Sequence, residues 1–474
     1  MRIAFINPQG NFDRLDSYLT EHPDFGGQLV YVKELALALA RRGVDVDILT
    51  RRIDDPQWPG FSDPLDDFGE LTERVRIVRL SFGGDGFLAK ERLWPHLPAF
   101  VEAIEEFYAQ SGLPDYFTAH YADAAAVAVQ LRQRTGKGFT LTGHSLGAQK
   151  MDKLGVSAAN FEVMEARYRF SRRLAAEREG MTWADTVITS TSEERFEQYG
   201  HALYAGAVDT SDDARFRVIP PGINSRIFNQ DPGSDEAEDL SRVEAQVPFP
   251  DQPHVVVSSR LDPKKNVAGV VEAFAGSQGL RDSARLALFV RGTDDPWQDL
   301  GRLGSEEREV LEPILARIEE TGLRERVHFL NLGSQRQLAC AYRLLARSGS
   351  VFALPSLFEP FGLAPIEAAA CGLAVAATRN GGPAEIFADG VGELFDPEDA
   401  ADMAAALQRA LADQETLARR ASRRVAERYT WDRTAERYLE VIEANLEQAR
   451  SIGTQARQVN ANLDSLLADY LGQA

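Results

Sequence analysis

Short apolar runs rich in β-branched residues alternate with longer segments of helical periodicity along most of the chain. This alternation is typical of parallel sheets built from β-α units, whose strands are covered on both faces. A first series of runs predicts strands at Ile3–Ile6, Val46–Thr50, Val75–Leu80, Phe117–His120, Phe139–Thr142, Asp185–Thr189 and Phe216–Ile219. A second predicts strands at Val255–Ser259, Ala287–Arg291, Val327–Leu330, Val351–Ala353 and Ala374–Thr378. Apolar spacing also predicts a helix over Leu29–Arg42 that ends before Gly43.

The pattern breaks between the two series at Pro220-Pro221-Gly222. The following segment, 226–253, is polar and acidic, so we predict a linker there. The fold class is therefore α/β, with two Rossmann-like, doubly wound domains over 1–225 and 254–429 that face a central cleft. Such sheets bind ligands outside the carboxyl ends of their strands, so we expect the substrates in that cleft.

The pattern after about Asp399 is almost entirely helical, with a break at Tyr429–Trp431. We expect the C-terminal helices, 430–474, to pack back on the N-terminal domain. One stripe of the helix after the break is apolar, as in a helix that packs on a core. A second apolar stripe near the end of the chain is expected to pack on the body, with a dimer contact as the alternative. Its members are Val459, Leu463, Leu466 and Leu467. The oligomeric state stays open, with a monomer favoured.

The net charge of the chain excludes some classes of binding partner. The 474 residues include 52 Lys+Arg and 72 Asp+Glu, for a net charge of −20. So acidic a chain is a poor ligand for nucleic acids and anionic membranes. The start of the chain lacks the features of a signal peptide and no long apolar run occurs, so we expect a cytoplasmic protein. Cys340 and Cys371 have neither disulfide-framework nor zinc-site spacing.

The loop between the first predicted strand and helix, Asn7–Gln28, ends in Gly26-Gly27-Gln28. Paired glycines at the start of a helix let backbone amides approach a phosphate group, which the helix dipole also favours. A plain tight turn is the alternative for this pair of glycines.

The loop Gly143-His144-Ser145-Leu146-Gly147 fits the nucleophile elbow of serine hydrolases, because it follows a predicted strand directly. A hydrolase that uses Ser145 is therefore an alternative, with histidines available at 201, 254 and 328. The chain has no HGGG-type oxyanion loop, and two sheets in tandem do not match a single hydrolase sheet.

Charged residues cluster after two strands of the second domain. Arg260 and Lys265 follow the first strand of that domain and could converge on one diphosphate. Glu359 and Glu367 flank a turn at Gly362 and the start of a helix, where free amides could hold a phosphate. The alternatives are a solvated basic turn and two glutamates whose spacing alone carries little information.

Together, Arg260–Lys265 and Glu359–Glu367 resemble the R-x4-K and E-x7-E motifs of retaining glycosyltransferases with the GT-B fold. The glycine loop and His144 match the N-terminal motifs of that superfamily, and the match extends to about residue 445. A closer resemblance is to the glucosyltransferase region of the sucrose-phosphate synthase family. The stretches that carry it include NPQGNF, EHPDFGGQLVYVKELA, FGGDGFLAKERLWPHL, TGHSLGAQKMDKL, SSRLDPKKN, FEPFGLAPIEAAACGL and TRNGGPAEI.

The resemblance implies transfer of glucose from UDP-glucose or ADP-glucose to fructose 6-phosphate, with retention at the anomeric carbon, to give sucrose 6-phosphate. No cofactor and no obligatory metal are expected; Asp45-Val-Asp47 has the letters of a metal-binding motif but lies in a predicted buried strand. Each domain would hold half of the site, so closure of the two domains is expected.

The resemblance also implies roles for individual residues. Arg260, Lys265 and the amides of Gly362 and Leu363 would bind the diphosphate, with Gly27 beside it. Glu367 would bind the ribose, while Glu359 and His144 would contact the donor glucose. Asn331 and Arg291 are weaker candidates for the base pocket.

Several cations of the N-terminal domain are candidates for the acceptor phosphate. Arg169, Arg172 and Arg173 have the spacing of one helix face. With Lys90, Lys150 and Gln28, they would form the acceptor site, which favours fructose 6-phosphate over fructose. The alternative is a salt-bridged surface, with Glu162, Glu165 and Glu177 as partners.

Other readings of the resemblance stay open. A sucrose synthase, a mannosylfructose-phosphate synthase or a catalytically silent sugar-nucleotide sensor would share much of this pattern. Plant sucrose-phosphate synthases are longer and carry a phosphatase-like region, so here a separate phosphatase would be needed to release sucrose.

Overall fold

The computed structural model describes residues 1–14, 24–233, 236–452, 459 and 461–473. The chain forms two compact units: the first unit is Met1–Pro221 with Thr434–Ala474, and the second unit is Gly222–Arg433. Each contains one largely parallel sheet between helices, as the alternating pattern predicts.

The sheet of the first unit has the strand order β3-β4-β2-β1-β5-β6-β7-β8, and only β3 is antiparallel to its neighbour. Its strands are β1 (Arg2–Ile6), β2 (Asp45–Arg51), β3 (Leu65–Asp66), β4 (Val75–Leu80), β5 (Tyr116–His120), β6 (Phe139–Thr142), β7 (Thr186–Thr189) and β8 (Phe216–Val218). The order reverses between β1 and β5, where Ile6 lies beside Ala119. The loops after these two strands therefore border the crevice of the sheet.

The helices of this part of the first unit are α1 (Gly27–Arg41), α2 (Leu97–Tyr108), α3 (Ala122–Thr135), α4 (Gly147–Lys153), α5 (Phe161–Tyr168) and α6 (Phe170–Trp183). Helix α1 buries Leu29, Val32 and Leu35 against the sheet, which explains why the apolar spacing predicts it. It ends at Arg41, and Gly43 beyond it adopts a φ of +85°, a value that glycine reaches without strain.

The sheet of the second unit is fully parallel, with the order β11-β10-β9-β12-β13-β14. Its strands are β9 (His254–Ser258), β10 (Arg285–Phe289), β11 (Val327–Leu330), β12 (Val351–Leu354), β13 (Ala374–Thr378) and β14 (Glu393–Phe395). The helices are α7 (Ala237–Glu244), α8 (Val267–Gly276), α9 (Gln278–Ser283), α10 (Pro296–Asp299), α11 (Ser305–Glu320), α12 (Gln335–Arg347), α13 (Leu363–Ala370), α14 (Gly382–Ile386), α15 (Ala400–Ala412) and α16 (Gln414–Arg428). Here the switch point lies between β9 and β12, where Val256 is beside Phe352.

The segment predicted as a linker, 226–253, differs from that expectation. It contains α7, and Phe228 and Val243 are buried in the core of the second unit. Glu236 forms a buried ion pair with Arg343 of α12. Composition is misleading here because a short amphipathic helix needs only a few apolar anchors among its polar residues.

The chain ends in α17 (Trp431–Ile452) and α18 (Leu463–Gln473). Tyr438 and Ile442 of α17 are fully buried. Leu467 of α18 joins the core of the first unit, and Val459, Leu463 and Leu466 pack against that core. Among the residues that the structure describes, no helix is both long and apolar enough to cross a membrane.

Candidate active site

Lys265 and Glu359 meet at the switch point of the second unit. Lys265 lies in the loop after β9 and Glu359 in the loop after β12, and the Lys265 Nζ is 2.6 Å from the Glu359 Oε2. The Ser356 hydroxyl donates to the same oxygen at 3.2 Å. The two loops are also joined by a backbone hydrogen bond from Leu357 N to Lys264 O, at 2.9 Å. Two predicted site residues thus form a charged pair where doubly wound sheets bind ligands.

Arg260 lies in the same loop as Lys265 but is exposed. Its guanidinium makes no ion pair or hydrogen bond with any residue in the described part of the chain. The loop turns at Asp262, whose Oδ1 accepts from Lys264 N at 2.9 Å. A free guanidinium with five donors is well suited to an incoming oxyanion.

The backbone of Glu359 is fixed by the loop after β13. Glu359 N donates to Asn380 O at 3.1 Å, and Gly382 N donates to Glu359 O at 2.9 Å. Gly381 lies between these partners with a φ of +97°, and a Cβ there would be 2.1 Å from Glu359 O. Only glycine fits this position, so it explains one of the glycines in the stretch TRNGGPAEI.

Helix α13 carries two further groups toward this loop. It begins after Gly362, which has a φ of +100°. Its first-turn amides, including that of Leu363, have no helical acceptor and carry the positive end of the helix dipole. Glu367 is half-buried on the same helix, and burial raises the pKa of its carboxyl group to about 7. Among described residues, no group donates a hydrogen bond to this carboxylate, which leaves it available to ligand hydroxyls.

Asn331 and Arg291 follow β11 and β10, on neighbouring strands. The Asn331 Oδ1 accepts from Gly292 N at 2.9 Å, and its Nδ2 donates to the Asp294 Oδ1 at 2.7 Å. Its side-chain amide therefore braces the loop after β10. Arg291 is exposed beside it.

In the first unit, His144 lies directly after β6 and has a φ of +58°. Its Nε2 is 2.9 Å from the Nδ1 of His120, and its ring meets the Tyr31 ring edge-on, with centroids 4.9 Å apart. Burial lowers the pKa of His144 to about 3, so the imidazole is neutral at physiological pH. The preceding residue, Gly143, donates its N–H to the Tyr199 hydroxyl at 3.0 Å.

Gly27 and Gln28 open α1 in different roles. Gly27 is exposed, and no side chain caps the start of the helix at Gly26. The Gln28 Nε2 donates to the Asn7 Oδ1 at 2.7 Å, and the Gln28 Oε1 accepts from the Gln9 amide. Gln28 thus ties α1 to the loop after β1. Part of the predicted loop, residues 15–23, lies outside the described residues, and so does the EHP of the EHPDFGG stretch.

The predicted acceptor cations differ in whether they have a carboxylate partner. The Lys90 Nζ is 2.9 Å from the Asp24 Oδ1, and the Arg173 Nε is 2.9 Å from the Glu177 Oε1. Lys150 forms no ion pair among the residues that the structure describes. Its Nζ lies 4.0 Å from the centre of the Tyr168 ring. Burial, followed by the charges of Arg173 and Lys90, lowers the pKa of Lys150 to about 8.

The prediction that three arginines share one helix face is wrong. Arg169 has a φ of +55° and separates α5 from α6, so only Arg172 and Arg173 lie within a helix. Arg172 is exposed, whereas Arg173 is buried and also donates to Ser145 O at 2.5 Å. Spacing alone misled because the helical pattern continues through a left-handed break.

Ser145 does not build a hydrolase triad. The Ser145 Oγ has the Arg173 Nη2 at 3.4 Å as its hydrogen-bonding neighbour. Among the described residues, His254 and His328 do not hydrogen-bond to this hydroxyl, and His201 pairs with Asp152. No base therefore activates this hydroxyl within the described residues.

Asp45 and Asp47, the two aspartates of the Asp-Val-Asp sequence, make structural contacts. Asp47 is buried and accepts from Arg76 Nε and from the Tyr108 hydroxyl, each at 2.8 Å. Asp45 accepts from Arg74 Nη1 at 3.0 Å. Over the described ranges, no group of three or more His, Cys, Asp or Glu side chains could hold a metal ion.

Two residues near the site escape the sequence reasoning. His120 is fully buried at the end of β5, in hydrogen-bonding contact with His144. Tyr121 has a φ of +85°, and the guanidinium carbon of Arg173 lies 4.6 Å from its ring centre. The available signal is a polar His-Tyr pair between a buried strand and a helix, at the switch point.

Family models for "Glycosyl transferase 4-like domain" and "Glycosyl transferases group 1" match residues 26–222 and 242–428. Among solved structures, the chain is similar to sucrose-phosphate synthase from Thermosynechococcus elongatus, at 29% identity and a TM-score of 0.68, covering 94% of this chain and 100% of that one. Anabaena HepE in complex with UDP and glucose shares the fold, at 18% identity, a TM-score of 0.60 and coverage of 94% and 100%.

Curated relatives are more similar in sequence. A probable sucrose-phosphate synthase from Thermosipho melanesiensis is 43% identical over 94% of this chain and 96% of its own length. A probable sucrose-phosphate synthase from rice is 34% identical over 94% of this chain, which spans 52% of that protein. The chain therefore belongs to the sucrose-phosphate synthase family, a group of hexosyltransferases with the GT-B fold.

Proposed function

We propose that this protein transfers glucose from UDP-glucose or ADP-glucose to fructose 6-phosphate, with retention at the anomeric carbon, and so makes sucrose 6-phosphate. The observation that carries the proposal is Lys150, a half-buried cation without a carboxylate partner among described residues. Its neighbours Lys90 and Arg173 are each paired with a carboxylate, and Glu91 also acts on Lys150, so Lys150 itself supplies the charge that no ion pair neutralises. A site with surplus positive charge favours a phosphorylated acceptor over a neutral sugar.

The second unit supports the donor half of this proposal. Cleavage of the bond between the sugar and the diphosphate leaves negative charge on the diphosphate, which fixed cations and dipoles stabilise. Arg260, Lys265 and the first-turn amides of α13 supply them without a metal ion. The carboxylate of Glu367 would accept hydrogen bonds from the ribose hydroxyls.

Glu359 and His144 would contact the transferred glucose, with Gly27 beside the diphosphate. Lys265 holds Glu359 in the described state at 2.6 Å, so a bound diphosphate would draw the ammonium toward itself and leave Glu359 to the sugar hydroxyls. Asn331 and Arg291 remain candidates for the base. A solved relative in fold, starch synthase IV, is bound to ADP, while HepE holds UDP. Both nucleotides are therefore part of the proposal.

Retention places the acceptor on the face of the sugar that the diphosphate leaves. The bond from C1 to the diphosphate oxygen breaks, and a bond from C1 to the 2-hydroxyl oxygen of fructose 6-phosphate forms. The hydroxyl proton passes to the leaving diphosphate, which is the nearest base on that face. Atoms and charge balance without a cofactor.

Further expectations rest on the same proposal. The product keeps its phosphate, so release of sucrose would need a phosphatase. The chain spans 52% of the rice relative, and the proposal does not include functions of the other part of that relative. The cytoplasm is the expected compartment.

The test is a matrix of donors against acceptors with identified products. UDP-glucose, ADP-glucose and GDP-mannose would each be combined with fructose 6-phosphate and with fructose. The proposal predicts release of UDP or ADP only with a glucosyl donor and fructose 6-phosphate, and an α-glucosyl product by NMR. Transfer to free fructose at a similar rate would indicate a sucrose synthase, and mannosyl transfer would indicate a mannosylfructose-phosphate synthase.

A further inference from the structure

A chain of hydrogen bonds links the neighbouring strands β5 and β6 of the first unit and ends at His144, in the loop after β6. The Thr140 Oγ1 donates to the Thr118 Oγ1 at 2.9 Å. The Thr118 Oγ1 lies 3.2 Å from the Nε2 of His120, and the His120 Nδ1 lies 2.9 Å from the His144 Nε2. Thr118, His120 and Thr140 are fully buried, so water does not compete for these groups.

The direction of each bond follows from counting protons. The buried Thr118 hydroxyl accepts from Thr140, and its only other hydrogen-bonding neighbour among the described residues is the Nε2 of His120. Its single proton has no other acceptor there, so Thr118 donates it to that nitrogen. The Nε2 of a neutral imidazole that accepts is unprotonated, which places the ring proton of His120 on Nδ1. Nδ1 therefore donates to the Nε2 of His144. The proton of His144 must then lie on its own Nδ1.

The surroundings keep both rings neutral, as this count requires. Burial, followed by the repulsion that two charged rings at this distance would exert, lowers the pKa of His120 well below its ordinary value. Stacking also fixes the orientation of His120, whose ring lies parallel to that of Phe5 with centroids 5.2 Å apart. Tyr31 packs against the His144 ring and limits its rotation.

The free end of this chain is the Nδ1 of His144. The Nδ1 of His144 contacts no hydrogen-bonding partner in the described ranges, and the residue is only half-buried. A neutral imidazole with its proton on this nitrogen presents a donor to a ligand oxygen. A proton on the other nitrogen would present an acceptor there instead.

We propose that His120 is a positioning residue that holds His144 in its Nδ1–H tautomer, so that His144 donates a hydrogen bond to a hydroxyl oxygen of the bound sugar. The identity of that sugar as the donor glucose rests on the proposed function; the tautomer does not. Thr118 and Thr140 complete the device, because they supply the proton that fixes His120. It is the tautomer-setting arrangement that second-layer hydrogen bonds provide to working histidines.

The direct test is nitrogen-15 NMR of the histidine side chains in the intact protein without substrates. His144 is assigned by comparison with His144→Gln. The proposal predicts a protonated Nδ1 and an unprotonated Nε2 for His144, with the same pattern for His120. Thr118→Val keeps the shape but removes the hydroxyl proton, and it should shift His144 toward the other tautomer. Thr118→Ser keeps the hydroxyl and is the matched control, which should retain the wild-type pattern.

Kinetics give an independent readout. His120→Leu should lower kcat at least 10-fold, because the donor on His144 is no longer fixed. His120→Asn offers an amide donor near the position of Nδ1 and should recover most of that loss. A purely structural role would instead lower stability in both variants without separating their kcat values.

A wild-type His144 protonated on Nε2, or a tautomer that Thr118→Val leaves unchanged, would overturn the proposal. Equal kcat in His120→Leu and His120→Asn would overturn its catalytic part. Loss of the proposed function is distinguishable, because the wild type would then show no glucosyl transfer while its NMR pattern would stand.

Discussion

At the scale of single residues, the cations of the first unit differ in how far each is neutralised. Lys90 and Arg173 each lie 2.9 Å from a carboxylate oxygen, whereas Lys150 has no such partner among the described residues. A buried arginine paired with Glu177 stabilises the fold around Ser145 and Gly147. The unpaired lysine has the most to gain from an incoming phosphate.

The proposed role of Lys150 in acceptor binding predicts a pH dependence of acceptor use. Its pKa of about 8 in the free protein means that the ammonium loses its charge as the pH rises through that value. We expect kcat/KM for fructose 6-phosphate to fall above about pH 8. In Lys150→Arg this fall should disappear, because an arginine stays charged throughout that range. Profiles that match in the wild type and in Lys150→Arg would contradict this assignment.

Below about pH 7, we expect a pH dependence in the binding of the nucleotide sugar. Burial raises the pKa of Glu367 to about 7, and the ionised form is the better acceptor for ribose hydroxyls. The KM for the nucleotide sugar should therefore rise as the pH falls below about 7. Glu367→Gln should raise this KM at all pH values and remove its pH dependence. Initial rates at pH 6 and pH 8 decide the point; a KM that is constant in the wild type would count against it.

At the scale of elements, helix α17 contacts the residues that hold the His144 loop. The Tyr438 hydroxyl is 2.6 Å from the Thr142 Oγ1 and 3.0 Å from the Tyr31 hydroxyl. Thr142 ends the strand before the loop, and Tyr31 contacts the His144 ring. A helix from the end of the chain thus stabilises an N-terminal site.

Removing that hydroxyl should be measurable. Tyr438→Phe loses two buried hydrogen bonds, those with Thr142 and Tyr31, so the free energy of unfolding should fall by about 1–3 kcal/mol. Glu440→Ala changes an exposed position of the same helix and should stay within about 0.5 kcal/mol of the wild type. Urea unfolding compares the two. Equal stabilities would show that Tyr438 contributes no more than a surface residue.

How well each element could be predicted depends on the length of its apolar run. Strands such as β4 and β6 have the predicted bounds because they are buried and continuous. β3 and β14 have only two and three residues, too few for a periodic signal. Helix α7 could not be predicted from its acidic composition, because only a few of its side chains are buried.

The candidate site follows the same logic at a longer range. Loops after adjacent parallel strands lie at the same edge of the sheet. The sequence can therefore predict that Lys265 and Glu359 lie close together. The burial of Arg173 against Glu177 was not, because spacing does not reveal which side of a helix is covered. The contact of His120 with His144 depends on the sheet order and on a left-handed backbone, neither of which a motif contains.

At the scale of the whole molecule, the net charge of −20 opposes anionic substrates, while the site motifs gather cations. Four of the seven lysines are candidate site residues or directly adjoin one in the sequence: Lys90, Lys150, Lys264 and Lys265. Short-range attraction to a phosphate should outweigh distant repulsion, because screening reduces both but contact distances are a few ångströms. Affinity for the acceptor should therefore weaken with salt.

Raising KCl from about 50 to about 500 mM should increase the KM for fructose 6-phosphate several-fold, because salt screens the attraction between the phosphate and the site cations. The kcat at saturating substrate should stay nearly unchanged. Potassium acetate at equal ionic strength is the control for a specific chloride effect. A KM that falls with salt would mean that the acidic surface dominates binding.

In the proposed function, the free charge of Lys150 selects a phosphorylated acceptor. Its most direct test is the ratio of kcat/KM for fructose 6-phosphate to that for fructose, measured in the wild type, Lys150→Gln and Lys153→Gln. Lys153 is exposed on the same helix and serves as the matched control. A charge-assisted phosphate contact of about 1.5–3 kcal/mol predicts that the ratio falls about 10- to 100-fold in Lys150→Gln and stays unchanged in Lys153→Gln. A wild-type ratio near one, or equal ratios in all three proteins, would contradict the account.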